Sequence, residues 1–285
     1  MSPADKLRDL LDRPGCRTLP GVYDTMSAML VERAGFEVAF MTGFGVSAAR
    51  IGMPDTGLIS YAEMVDQGRN MAAVTSIPII GDGDTGFGNA INVKRTVAGY
   101  AQAGLACVMI EDQVSPKRCG HTRGKTIVRR EEAFQRIQAA CDARDAGADI
   151  LIMARTDANA TDGIEEAIDR CNAFREIGVD ITFLEAPRDK DEMRRYCKEV
   201  SGPKMANMVE QGDTPYLMAD ELGEMGYKIA IYPIAMMLAS IKAMQAALAS
   251  LKAGKAPEGQ ITFPELRDIV GFPEYYEAEK KYAAE

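Results

Sequence analysis

Eight short apolar segments rich in Val, Ile and Phe, separated by longer stretches with helical periodicity, most constrain how this chain can fold. They are Arg17–Tyr23, Glu37–Gly43, Ile77–Asp82, Ala106–Glu111, Asp149–Arg155, Asp180–Glu185, Pro203–Asn207 and Tyr227–Pro233. Between them, Ile164, Ile168, Cys171, Phe174 and Ile177 mark a helix that Asp162 starts as N-cap, with Glu165 three residues on, and Gly178 ends. A second helix runs from Glu131 through Phe134, Ile137 and Cys141 to Gly147. Strand–helix alternation implies a parallel sheet, and eight units in a chain of 285 residues fit an α/β class (β/α)8 barrel better than an open sheet. The competing doubly wound fold wants a phosphate-binding first turn. Gly81-Asp82-Gly83-Asp84-Thr85-Gly86 matches G-x-G-x-x-G after a strand, but its two aspartates would repel a pyrophosphate and no acidic residue near Ala101–Ala106 would hold a ribose. It also fails as a calcium loop, because the third oxygen position is Gly86 and no glutamate closes it.

Composition removes several functions. A net charge of −9 gives no general pull towards nucleic acid or an anionic membrane. His121 is the only histidine, which excludes a zinc site built on several imidazoles. The six cysteines contain no C-x-x-C pair, and a chain this long does not need a disulfide framework. The polar start Met1-Ser2-Pro3-Ala4-Asp5-Lys6 lacks a signal peptide's apolar stretch, and Ile229–Ile241 is broken by Pro233, short of the roughly 18 residues of a membrane span. A soluble cytoplasmic protein without nucleic-acid or membrane partners is expected. No linker or charge block divides residues 1–285, so one domain is expected.

The strands end in residues capable of chemistry: Asp24, Thr42, Asp82 and Asp84, Glu111 and Asp112, Arg155 and Asp157, Glu185, and Asn207. In a parallel barrel these ends converge on the face where barrel active sites are built. One strand-end aspartate is ordinarily a helix cap, but so many in register are harder to explain that way. Asp82, Asp84 and Glu111 offer only oxygen, the ligand set of magnesium or manganese, and the surrounding glycines suit backbone close to a ligand better than a helix start. After the fourth strand, the segment Ser115–Lys125 gathers positive charge around Cys119, which makes that thiol's proton mobile. A solvated loop is the ordinary reading of such a charge run. By contrast Cys107 lies in a strand and Cys141, Cys171 and Cys197 lie on apolar helical stripes, while Cys16 is uninformative. The seventeen methionines are most simply core filler.

Lys117-Arg118-Cys119-Gly120-His121, with Gly81-Asp82-Gly83-Asp84-Thr85-Gly86-Phe87-Gly88 before it and Ala154-Arg155-Thr156-Asp157-Ala158 after it, resembles the isocitrate lyase and phosphoenolpyruvate mutase superfamily. The resemblance extends from Pro20-Gly21-Val22-Tyr23-Asp24 to Tyr232-Pro233. It implies a barrel whose C-terminal helix is exchanged between subunits of a homotetramer, with residues 263–285 as the exchanged part and residues 113–131 as a mobile active-site loop. The K-[KR]-C-G-H loop marks the carbon–carbon lyases of that superfamily. By match to it, Cys119 is the general acid, with Lys117, His121 and Glu185 in the catalytic set, and Asp82, Asp84 and Glu111 surround magnesium, with manganese as the alternative ion. Tyr23, Thr42, Gly43, Phe44, Asp55, Gly120, Arg155 and Asn207 are the implied substrate contacts, Thr42 standing where many members have serine.

Such an enzyme cleaves the C2–C3 bond of a 2-hydroxy dicarboxylate, leaving a 2-oxo acid and a carboxylate, with magnesium as Lewis acid and a proton delivered by Cys119. Pro233-Ile234-Ala235-Met236-Met237-Leu238 has no basic residue to receive a third carboxylate, and Phe183-Leu184-Glu185-Ala186-Pro187-Arg188 is similar to the 2,3-dimethylmalate lyase and petal-death-protein branch. An alkyl-substituted malate such as 2,3-dimethylmalate, split to pyruvate and propionate, is therefore expected. The alternatives are methylisocitrate cleavage, oxaloacetate hydrolysis or decarboxylation, or a non-catalytic dicarboxylate-binding barrel. A His121→Asn variant is expected to lose activity and keep its fold, and an unchanged kcat would show the position to be incidental.

Overall fold

The computed structural model describes residues 1–120 and 124–282. The chain divides into two compact units, Met1–Met236 and Met237–Glu285. In the first, eight strands form where they are expected, β5 alone running one residue past its segment: β1 Arg17–Val22, β2 Ala39–Met41, β3 Ile79–Asp82, β4 Cys107–Glu111, β5 Leu151–Thr156, β6 Ile181–Leu184, β7 Lys204–Asn207 and β8 Ile229–Tyr232. Each pairs in parallel with the next, and β8 closes on β1 with Arg17 opposite Ile229 and Pro20 opposite Tyr232. Helices cover the barrel at Thr25–Arg33, Tyr61–Val74, Ala90–Gln102, Arg130–Asp145, Ile164–Ile177, Lys190–Glu199 and Ala219–Met225. The second unit holds most of the helix Ala235–Lys252, then Phe263–Ile269 and Phe272–Tyr282.

Successive strand side chains point to opposite faces, so each strand serves two cores. Leu19, Phe40, Ile80, Cys107, Met109, Leu151, Met153, Ile181, Phe183, Met205, Ile229 and Ile231 fill the barrel interior. Their neighbours Ala39, Met41, Ile79, Val108, Ile110, Ile152 and Ala154 pack outward with helix residues such as Val97, Tyr100, Ile137 and Phe174. The helix Pro3–Asp12, started by a reciprocal Ser2–Asp5 capping box, adds Ala4, Leu7, Leu10 and Leu11 to the interior cluster. Lys6 donates to the Ser76 carbonyl ahead of β3, and Lys228, just before β8, donates to the Arg13 carbonyl, so this helix stoppers the N-terminal mouth. Polar side chains can then collect only at the opposite mouth.

One helix start differs from expectation. Asp162 does not cap Ile164–Ile177; it closes an extra short turn, Ala158–Thr161, and Gly163 at φ +93° leads into the long helix without a side-chain cap. The periodicity of the long helix carries no trace of that turn. Gly178, left-handed at φ +110°, ends it as expected.

Leu7 is 1% exposed in the stopper. Leu7→Ala is expected to cost about 3 kcal/mol in urea unfolding while leaving room-temperature kcat unchanged, because the stopper is remote from the polar mouth.

Candidate active site

The residue two beyond the last interior apolar residue of a strand still faces inward, now at the C-terminal mouth. This parity places Thr42 after Phe40, Asp82 after Ile80, Glu111 after Met109, Arg155 after Met153, Glu185 after Phe183 and Asn207 after Met205. There Thr42, Asp82, Arg155 and Asn207 border a cavity of about 230 Å³. Its polar wall comprises Thr42, Asp55, Asp82, Lys117, Cys119, Gly120, Arg155 and Asn207, and its apolar wall includes Phe44, Phe183, Val209, Ile231, Pro233 and Ile234. Thr42 precedes the turn Gly43–Val46 without capping it through its side chain, which leaves its hydroxyl to the cavity.

Several expected site residues stand behind this wall. The Gly43 N–H donates to Asp82 Oδ2 at 3.1 Å. Tyr23 packs against the outer core, its Cβ so close to Gly45 that a side chain there would lie 2.8 Å away. Asp84, Glu111 and Glu185 are buried beneath the wall. Asp24 takes the ordinary capping role, accepting from the Ser27 N–H at 2.7 Å. His121 lies outside the described residues.

The glycine-rich loop after β3 is laced to β4. Gly83 N donates to the Met109 carbonyl and Glu111 N to the Asp84 carbonyl, both at 2.9 Å, and a Cβ on Gly83 would stand 2.6 Å from the Met109 oxygen. Asp84 is held at φ +47°, a conformation few residues with a side chain adopt, and it is the kind of local strain that collects at functional sites. Lys117 Nζ lies 2.5 Å from Asp55 Oδ1 and 2.9 Å from Asp84 Oδ1. Burial alone would drive the proton off Lys117, but Asp84, Asp82, Asp55 and Glu111 hold its pKa well above the ordinary value. Burial pushes the Asp84 and Glu111 carboxyls upward, with Lys117 and Arg155 respectively pulling the other way. Glu111 Oε1 is buried and accepts no hydrogen bond. Among the described residues no three carboxylates, thiols or imidazoles converge tightly enough to hold one ion directly. Oxygen donors with an excess of buried negative charge and an orphaned carboxylate oxygen nevertheless suit magnesium, which takes one or two protein carboxylates and completes its shell with water and substrate.

Arg155 is fixed on several sides. Its Nε and Nη2 donate to the two oxygens of Asp157 at 2.8 and 3.0 Å, while Glu111 and Glu185 lie at 3.3 and 3.4 Å. Its guanidinium rests 5.2 Å from the Phe183 ring centre. Asn207 Nδ2 donates to Glu185 at 3.3 Å. Asp157 is itself anchored, its N–H donating to Asp112 Oδ1 at 2.9 Å while Thr156 and Arg170 donate to Asp112 Oδ2.

Over this floor lies the segment after β4. Gln113 exchanges two 2.9 Å hydrogen bonds with the backbone of Arg118, and Val114 N donates to the Thr126 carbonyl. Lys125, Gln113 and Val209 are assigned no site role from sequence, and Asp157 is named there only as a strand-end residue. Asp157 continues the inward parity of β5 two residues past Arg155 and was findable on that signal, whereas Lys125, Gln113 and Val209 carry none. Burial pushes the thiols of Cys16, Cys107, Cys141, Cys171 and Cys197 upward, so none is poised for chemistry, and Cys119 is the cysteine on the cavity wall.

A Cβ on Gly120 would lie 2.6 Å from Arg155 Nη2 and 2.7 Å from Glu185 Oε1. Gly120→Ala is expected to lift the loop by about an ångström and lower kcat by roughly 10²-fold with little change in melting temperature. Steady-state kinetics beside a thermal melt checks this.

The family model for phosphoenolpyruvate phosphomutase matches residues 7–252. The 2,3-dimethylmalate lyase of Eubacterium barkeri is 44% identical over 287 residues, covering 99% of this chain and 99% of its own length. The 2-methylisocitrate lyase of Aeropyrum pernix is 40% identical over 278 residues, covering 96% and 89%. Among solved structures, oxaloacetate acetylhydrolase in complex with the inhibitor 3,3-difluorooxalacetate superposes with a TM-score of 0.95 at 35% identity, covering 100% of this chain and 98% of that one. Phosphonopyruvate hydrolase in complex with oxalate and magnesium superposes at 0.87 with 30% identity, covering 99% of each. A closed barrel with this mouth, matched over nearly its whole length by lyases of the same build, belongs to the phosphoenolpyruvate mutase/isocitrate lyase superfamily.

Proposed function

We propose that the chain is a magnesium-dependent carbon–carbon lyase for alkyl-substituted malates such as 2,3-dimethylmalate, releasing pyruvate and propionate. The observation that carries this is the lining of the cavity. Lys117 and Arg155 are its only basic linings among the described residues, and Phe44, Val209, Pro233 and Ile234 are among its apolar ones. Those two cations can serve two carboxylates. A third, as in methylisocitrate, would find no further basic side chain among the described residues, and an unpaired carboxylate in such a place costs several kcal/mol. The 44% identity to a 2,3-dimethylmalate lyase points the same way.

Asp82, Asp84 and Glu111 are the residues that would hold magnesium, in part through water. When bound, the ion supplies Lewis-acid polarisation of the substrate's 2-hydroxy acid end. Arg155, unable to turn while Asp157 grips it at two points, receives a substrate carboxylate in a fixed orientation. Cys119, on the cavity wall, delivers a proton to the departing carbanion, and the proton lost from the C2 hydroxyl as the bond breaks restores the thiol. Lys117 offsets Asp55 and Asp84 without leaving the cavity edge. Gly120, with no side chain, lets the loop settle onto Arg155 and Glu185 and exclude water.

In the second unit, Leu238, Ile241, Met244, Leu248 and Leu251 recur at three- and four-residue spacing along one helix and are 42–64% exposed, and Phe263, Leu266, Phe272 and Tyr275 follow. We propose that other copies of the chain cover this stripe in a homotetramer with exchanged C-terminal helices. No described helix is long and apolar enough to cross a membrane and no disulfide joins the described cysteines, in keeping with a cytoplasmic setting.

Incubation with magnesium and 2,3-dimethylmalate is expected to give pyruvate and propionate, with slower or no turnover of 2-methylisocitrate and oxaloacetate. EDTA should abolish the reaction and magnesium restore it. Cys119→Ser should lower kcat by about 10²- to 10⁴-fold, and retention of most turnover would overturn the lyase mechanism. Light scattering after gel filtration should report four chains.

A further inference from the structure

Lys125 lies on the far limb of the loop that carries Cys119, yet its side chain turns back into the site. Its Nζ donates to the Gly120 carbonyl at 2.5 Å and to Asp157 Oδ1 at 2.9 Å. The Lys125 side chain is 5% exposed and that of Asp157 is 0% exposed. Asp157 Oδ1 is the same oxygen that accepts from Arg155 Nη2 at 3.0 Å. One carboxylate oxygen is thus shared by the loop's lysine and the barrel's arginine. The barrel side of this junction is anchored in its turn, because Asp157 N donates to Asp112, and Arg170 holds Asp112 from behind. Among the described residues the loop side reaches it through the ammonium of Lys125, and that ammonium also grips the carbonyl one residue past Cys119.

We infer that Lys125 and Asp157 are positioning residues that couple seating of the loop, and so the placement of the Cys119 thiol, to the clamped orientation of Arg155. An ammonium buried this far is stable only while both acceptors are present. A loop raised from the site breaks both bonds together and strips one donor from Asp157, so the seated and raised states differ by a charge pair and not by a single weak contact. The inference rests on the lyase reading for the role of Cys119, but its test does not depend on turnover.

The experiment follows alkylation of Cys119 by N-ethylmaleimide, mapped by peptide mass, in the full-length protein with and without oxalate and magnesium chloride. The ligand is expected to slow labelling of Cys119 in the wild type. In Lys125→Met, an uncharged side chain of similar length, this protection should fall by about tenfold and kcat should drop more than KM rises, because the thiol is misplaced while the cavity still binds. Lys125→Arg should recover part of both. Asp157→Asn should show the same loss, and if it fails to fold, the Lys125 variants alone decide. Protection of Cys119 in Lys125→Met equal to wild type would overturn the inference, as would a fall in melting temperature with no change in labelling. A Cys119→Ser enzyme that still turns over would overturn the lyase reading, while the labelling result would still judge the latch.

Discussion

A carboxylate removed from water must find a cation or a proton, and the C-terminal mouth of this barrel buries Asp55, Asp82, Asp84, Glu111, Asp157 and Glu185 together. The pairing between Arg155 and Asp157 makes the rest of the arrangement tolerable. Two parallel hydrogen bonds fix the guanidinium in a plane, and Glu111 and Glu185 then share its remaining charge at slightly longer range. Without that guanidinium Glu111 and Glu185 would lose the cation they share, and burial, which already pushes the Glu111 carboxyl upward, would drive it to take up a proton.

The same deficit of positive charge accounts for the two lysines of the loop. Lys117 enters among Asp55 and Asp84, and Lys125 reaches Asp157, so the loop contributes cations that the barrel floor lacks.

Most of the architecture is legible in the amino-acid sequence, for a physical reason. Parallel barrel strands are apolar on both faces because both are buried, so they stand out as short Val- and Ile-rich runs, and parity of two then places Glu111, Arg155, Glu185 and Asn207 in the mouth. The helix starts were less legible. Asp162 has the composition of a cap, but the backbone spends it on closing an intervening turn, and Gly163 takes the reversal. The role of Asp157 was hidden behind its own strand-end position, where a capping aspartate would look the same.

What the sequence by itself determined is the list of parts: eight strands, a chemically equipped strand end on most of them, one cysteine set among cations, and a terminal stretch after β8 with no basic residue before Lys242. These follow from periodicity and local composition, which act over a few residues. Only the tertiary structure decided which parts meet. That Lys125 turns inward to share Asp157 with Arg155, that Val209 joins Ile234 on the cavity lining, and that Glu111 and Glu185 stand behind the cavity against Arg155 depend on tertiary structure, the ion pairs among them joining residues 30 to 44 positions apart. Such pairings are set by barrel closure and by the need to satisfy buried charge, and neither leaves a mark on the local run of amino acids.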